Sequence, residues 1–297
     1  MENEFSLHTQ LERNDIRVEE KLKLVESNPG IIFNTPCITF GEGRQSRVSA
    51  LEIVKANMVT KVIWKRCGVE KKLTQEESES LCRHILPYRE NLKAFGWNVP
   101  EVFYSESVCL TNEHVVFSYE QLIESVDVER MYKDEKTAHF ERLSVLQKII
   151  HILTNSHHQN LDKKKYGNYM LSYLPYGIDL KLANLILDAK GKLFFVDFFG
   201  PKELQKDGSW KNYLTKLDSL PEENLKVICA TREGSILRMV KLALQYLPKN
   251  IEVDVYKKHF IDIISFSSLP DEEKETVLNE IENNFPLLGM VYEEYRV

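Results

Sequence analysis

A chain of 297 residues, 43% hydrophobic and 28% charged, is long enough for one large domain or for two lobes with separate cores. Its formal net charge of −6 argues against a broad nucleic-acid or anionic-membrane surface and suits a cationic partner, while leaving room for a local basic patch. Five scattered cysteines (37, 67, 82, 109, 229) without a Cys-x-x-Cys pair read as reduced core residues in a cytosol-like compartment, not as zinc ligands.

In chain order, residues 1–30 are charged, with apolar residues at Leu11, Ile16, Val18, Leu22 and Leu24, and are expected to form a helical extension ending near Asn28-Pro29-Gly30. The acidic start lacks the apolar core of a signal peptide. No run approaches the roughly 18 apolar residues of a membrane span, so a cytoplasmic location without a membrane span is expected. Residues 31–40, 47–56 and 60–66 are rich in β-branched and aromatic side chains and predict three strands of an antiparallel meander. "LTQEESESLCRHIL" (73–86) predicts a helix, with Thr74 and Glu77 as a capping box and Pro87 ending or kinking it. Two more strands flank Thr111-Asn112. The expected fold class is therefore α+β, with a five-stranded antiparallel sheet plus one helix over 31–123. A mainly helical region covers 124–297, with helices over 137–156, 222–247, 251–265 and 271–285.

Within the helical region lies "YGIDLKLANLILDAKGKLFFVDFFG" (176–200), two apolar runs joined by Asp188-Ala-Lys-Gly191. Asp179 and Asn184 precede the first run and Asp197 follows the second. Carboxylate and amide oxygens at strand ends are ligands that hard cations prefer, and Mg²⁺ takes one or two carboxylates together with substrate phosphate oxygens. A carboxylate near the metal but free of it could accept a proton from an attacking hydroxyl. The bland alternative is a hairpin whose Asp and Asn are plain turn formers.

The upstream parts favour the first reading. "TFGEGRQSRV" (39–48) is a glycine-bearing turn between strands one and two. "KVIWKR" places Lys65 on strand three. "DLKLAN" (179–184) reads Asp-x4-Asn, and "VDFFG" (196–200) is similar to Asp-Phe-Gly. Over roughly residues 31 to 200 the chain resembles the protein-kinase-like superfamily, closest in style to the aminoglycoside and choline kinase group.

The resemblance implies a bilobal fold and an ATP- and Mg-dependent transferase. Asp179 is implied as the catalytic carboxylate and Lys181 as a γ-phosphate contact, with Asn184 and Asp197 as metal ligands. Lys65 is implied on the α- and β-phosphates, with Gly41, Gly43 and Ser46 over the phosphates. "FSYEQLIES" (117–125) would be the inter-lobe hinge, its backbone near Glu120 to Leu122 meeting adenine. For the partner of Lys65, Glu76, Glu77, Glu79 and Glu90 are candidates; Glu77 shares the stripe of Leu81 and Ile85, and Glu79 that of Cys82 and Leu86.

Two departures stand out. Gly177 occupies the place of the family's loop histidine, and Phe199 that of the glycine after Asp-Phe. No Ala-Pro-Glu follows Asp197. A small-molecule hydroxyl is therefore the expected acceptor. The rivals are an atypical protein kinase, which Lys181 favours, and a nucleotide-binding pseudokinase scaffold, which Gly177 favours. His151, His157 and His158 lie on or near a helix and are poor joint metal ligands, and Trp64, Trp97 and Trp210 read as packing residues or lobe-surface anchors. Asp207, Asp218, Glu222 and Glu223 are either a cationic-substrate pocket or plain surface.

Overall fold

A computed structural model describes residues 32–42, 46–55, 58–67, 73–110, 113–155, 158, 160–197, 203–204, 210–211 and 222–291. The expected N-terminal extension over 1–30 lies outside the described residues. What is described divides into two compact units. The first lies within 32–87 and 100–123, and the second within 88–99, 124–211 and 222–291. The chain is mixed α/β.

In the first unit, β1 (Ile32–Glu42), β2 (Ser46–Lys55), β3 (Met58–Cys67), β4 (Val102–Leu110) and β5 (Glu113–Gln121) pair antiparallel in the order β1-β2-β3-β5-β4. The β-branched residues in these runs fit a pleated surface. Register shifts between Asn34 and Ile38 and between Thr39 and Gly41 interrupt the β1–β2 ladder. Helix α1 (Gln75–Ala94) is inserted between β3 and β4. Thr74 and Glu77 close a reciprocal capping box at its start: Glu77 N donates to Thr74 Oγ1 at 3.1 Å and Thr74 N donates to Glu77 Oε2 at 2.8 Å. Leu81 and Ile85, one turn apart, are fully buried, as are Val115 and Val116 on β5. Each such side chain contributes about 1.5–3 kcal/mol of transfer free energy.

Of the two outcomes expected at Pro87, an end to the helix is not the one found: α1 continues to Ala94 with Pro87 inside it. Pro87 deprives the Arg83 carbonyl of its helical donor. The next turns bury Tyr88 and Leu92, and that packing outweighs one lost hydrogen bond. From Tyr88 to Val99 the chain belongs to the second unit, so the expected span 31–123 is not one compact piece.

The second unit contains α2 (Val128–Lys133) and α3 (His139–Leu153), the hairpin β6 (Asp162–Tyr166) and β7 (Tyr169–Tyr173), and a 3₁₀ turn at Leu182–Asn184. The hairpin β8 (Leu185–Leu187) and β9 (Leu193–Phe195) and the short pair β10 (Glu203–Leu204) and β11 (Trp210–Lys211) follow. Five helices close the described chain: α4 (Glu222–Ala230), α5 (Arg232–Gln245), α6 (Val253–Ser265), α7 (Asp271–Glu282) and α8 (Pro286–Val291). The core draws Leu146, Ile149 and Leu153 from α3, Val227 and Ile228 from α4, Ile236 and Val240 from α5, and Phe260 and Ile264 from α6.

The single helical stretch expected over 222–247 is broken at Thr231. That residue caps α5 by accepting from Gly234 N at 3.1 Å. The corner is tight: a Cβ on Gly234 would lie 2.0 Å from the Val227 carbonyl oxygen, so glycine is required there. In the stretch 271–285 the helix ends at Glu282, and Asn284 and Phe285 follow with φ angles of 61° and 64°.

Candidate functional site

The segment 176–197 is pinned by alternating burial. Ile178, Leu180, Leu182 and Leu185 are fully buried, whereas Asp179, Lys181 and Asn184 between them are only partly so. A short loop with every second side chain anchored presents the remainder together. Across the following hairpin, Leu185 pairs with Phe195, Ile186 with Phe194 and Leu187 with Leu193. Its turn is held by Asp188 Oδ1, which accepts from Lys190 N at 2.9 Å and Lys192 N at 2.7 Å. Val196 N donates to Asn184 O at 2.9 Å, and this places Asp197 beside the loop.

Asn184 joins the two carboxylate-bearing residues. Its Nδ2 donates to the Asp179 carbonyl at 2.8 Å and to Asp197 Oδ2 at 3.0 Å. The carboxylate of Asp179 is flanked by two cations. Arg238 Nη1 on α5 lies 2.5 Å from Oδ1, and Lys181 Nζ lies 2.9 Å from Oδ2. Asp179, Lys181, Asn184 and Asp197, read from the sequence, thus come together, and Arg238 joins them unannounced.

The donor chemistry fits a hard cation. Asn184 turns its amide nitrogen to the Asp179 carbonyl and to Asp197 Oδ2 alike, and carboxylate and amide oxygens are the ligand types that Mg²⁺ takes when phosphate supplies others. Among the described residues, no group of three or more His, Cys, Asp or Glu side chains converges on a metal position.

The loop at Gly177 is braced by two contacts to its backbone. The buried Tyr88 hydroxyl donates to the Gly177 carbonyl at 2.6 Å, and Ile178 N donates to the Cys229 carbonyl at 2.7 Å. Burial, with the Asp197 carboxylate next, raises the Tyr88 phenol well above its ordinary range, so it remains a donor. One residue earlier, Tyr176 accepts from Trp97 Nε1 at 2.9 Å and meets His158 Nε2 at 2.8 Å. Asn155 Nδ2 donates to the Phe95 carbonyl, so Asn155 Oδ1 is the atom facing His158 Nδ1 at 2.9 Å. A neutral His158 therefore carries its proton on Nδ1 and accepts from Tyr176 through Nε2.

Beside this network, Arg232 pairs with Glu273 at 2.9 Å and also reaches the His158 carbonyl. Glu233 accepts from Ser172 N through both oxygens, at 3.1 and 2.9 Å. Burial first, and the neighbouring Glu273 second, push the Glu233 carboxyl up to about 7.

In the first unit, Lys65 on β3 is opposite Val48 on β2 and Ser118 on β5. Its ammonium lies 3.0 Å from Glu120 Oε2, and Ser118 Oγ donates to the other oxygen at 2.9 Å. Since Ile63 is opposite Glu120, lysine and glutamate are diagonal cross-strand neighbours on one sheet face. Two expectations bear on this pair. Glu120 was read as hinge backbone, but it lies inside β5, flanked by Ile63 and Val102, and its carboxylate receives Lys65. Glu77, read as the lysine's partner, contributes its carboxylate to the helix cap. Glu79 accepts from Gln75, and Glu90 pairs with Lys93. Leu122 is partly buried just past the end of β5.

Gly41 lies in β1 opposite Val48, and Ser46 begins β2 opposite Cys67. Gly43, His157, Phe199, Gly200, Asp207 and Asp218 lie outside the described residues, as do the side chains of Trp64, Trp210 and Glu222. Glu223 is exposed and pairs with Lys226 at 3.0 Å.

Sequence reasoning missed Arg238, Tyr88 and the brace formed by Trp97 and His158. A lone arginine inside the apolar run "SILRMVKLAL" was the available signal for Arg238, because a charge among core positions needs a partner. Neither a search of protein-family models nor a search of curated proteins finds a match to this chain.

Proposed function

We propose that the chain is an ATP- and Mg²⁺-dependent phosphotransferase acting on a hydroxyl of a small molecule, built on a bilobal protein-kinase-like fold. The observation that carries this reading is the junction at Asn184, whose amide spans the Asp179 carbonyl and the Asp197 carboxylate. A turn-forming role alone gives no reason for three acceptor-rich residues from both ends of a hairpin to meet.

In this reading Asp179 orients the acceptor hydroxyl and takes its proton. Asn184 and Asp197 would hold magnesium, which would supply charge neutralisation for the transferring phosphoryl group. Lys65 grips the nucleotide phosphates, and Glu120 keeps that ammonium in place. Lys181, 45% exposed, lies beside Asp179 as a second cation for the γ-phosphate. Gly41 and Ser46 lie over the phosphates, and the backbone near Leu122 meets adenine.

The test is ATP turnover across sugars, amino alcohols, aminoglycosides, nucleosides and generic protein substrates, read by mass spectrometry. Asp179→Asn is expected to cut turnover by about 10²-fold or more with little change in nucleotide affinity. Asp197→Ala is expected to abolish the Mg²⁺-dependent part of ATP binding in a thermal-shift assay. ATP binding without transfer to any acceptor would favour the scaffold reading, transfer to protein alone would favour an atypical protein kinase, and no binding at all would overturn both readings and this one.

A further inference from the structure

We propose that Arg238 is a positioning residue that sets the working orientation of Asp179 and does the bracing that a loop histidine would otherwise do; the proposal rests on the phosphotransferase reading. Arg238 is 6% exposed, and Ile236, Leu237, Met239 and Val240 around it on α5 are buried at 2% or less. A guanidinium among such neighbours is tolerated only where it meets an anion. The anion it meets is Asp179, 2.5 Å from Nη1. Arginine stays protonated at every working pH, so the contact persists whatever else titrates.

The helix that delivers this charge is fixed to the loop it serves. Thr231 caps α5, and Gly234 lets it approach the Val227 carbonyl. In α4 next door, the Cys229 carbonyl accepts from Ile178 N, one residue before Asp179, and Leu174 N donates to the Ala230 carbonyl. The same corner therefore holds the loop's backbone and aims a guanidinium at its carboxylate. With Oδ1 taken by the buried arginine, Oδ2 is the oxygen on the side of the more exposed cation, Lys181. The arginine also offsets the repulsion between a carboxylate and an incoming triphosphate, which would otherwise push Asp179 aside. A base held by a third group is the arrangement that proton abstraction needs.

The experiment compares the full chain with Arg238→Met and Arg238→Lys. Steady-state transfer is measured with whichever acceptor the screen identifies, or as ATP hydrolysis to water, and each rate is expressed per folded molecule from urea unfolding curves. The expected result is a loss of kcat of about 10- to 100-fold in Arg238→Met with KM for ATP within about twofold, and recovery to within about fivefold of the parent in Arg238→Lys. A merely structural arginine would lower the unfolding midpoint and leave kcat per folded molecule unchanged, and that result overturns the proposal. Equal loss in both variants also overturns it, because a retained cation should rescue. If the parent chain transfers phosphate to nothing, water included, the phosphotransferase reading fails and this proposal fails with it. An active parent and an equally active Arg238→Met chain remove Arg238 alone.

Discussion

The two units hold their candidate site charges in different ways. In the first, Lys65 and Glu120 sit on neighbouring strands, two positions apart on one face, and the register of β3 against β5 is enough to bring them together. In the second, Asp179, Asn184 and Asp197 lie on irregular chain and are held by Arg238, Tyr88, Cys229 and the Tyr176–His158 network. A ladder positions a side chain cheaply but permits little choice of direction. A loop can aim several groups at one point, and needs a buried polar scaffold to stop it wandering.

The sharpest break of this contrast is in the first unit. Lys65→Met leaves Glu120, fully buried, facing an apolar side chain, and is expected to lower stability by about 3–5 kcal/mol. Pairing it with Glu120→Leu should recover stability to within about 1 kcal/mol of the parent, because an apolar pair of similar volume packs without desolvating charge. Urea unfolding of the two single variants and the double variant decides the matter. A single-variant cost under about 1 kcal/mol would mean that the strands, not the ion pair, hold the lysine.

The second unit can be probed through pH. Glu233, raised to about 7 from an ordinary 4.5, binds its proton more tightly folded than unfolded. Its stabilising contribution is therefore complete below 4.5 and is lost as pH rises through 7, by at most about 3 kcal/mol. Glu233→Gln should flatten that part of the stability profile. Urea midpoints at pH 5 and pH 8 test it, and an unchanged slope in the variant would assign the dependence to another group.

The smallest effect is expected at Tyr88. Tyr88→Phe removes the donor to the Gly177 carbonyl and should cost about 1 kcal/mol, with a few-fold fall in turnover if the brace serves catalysis. A stability loss without any kinetic change would make Tyr88 a packing residue and weaken the contrast between the units.

Much of the local structure was legible. The runs Leu185–Leu187 and Leu193–Phe195, with Asp188 and Gly191 between them, could be read as a hairpin from apolar content and turn chemistry. Thr74 and Glu77 announced the start of α1. The β6–β7 hairpin was missed because Asp162-Lys-Lys-Lys165 shows no apolar alternation; its only cue was the Gly167-Asn168 turn, with Gly167 at φ 56°. At Pro87 the sequence left an end or a kink open, because a local rule about helix breaking says nothing of the packing of Tyr88 and Leu92 that carries the helix on. Arg238 and Asp179 are 59 residues apart, and only the α4–α5 corner brings them together. Glu120 was read for its backbone alone, and its side-chain contact with Lys65 went unseen, since register is invisible until both strands are placed.

The continuous helix Gln75–Ala94 has a consequence for how the molecule opens. Its first half is packed in one core and its second half in the other, and Pro87 at the changeover removes one rung of the amide ladder. Amide protons before Pro87 report the opening free energy of the sheet unit, and those after it report that of the helical unit. One helix thus carries two clocks of hydrogen exchange, and any ligand that tightens only one unit slows only one of them.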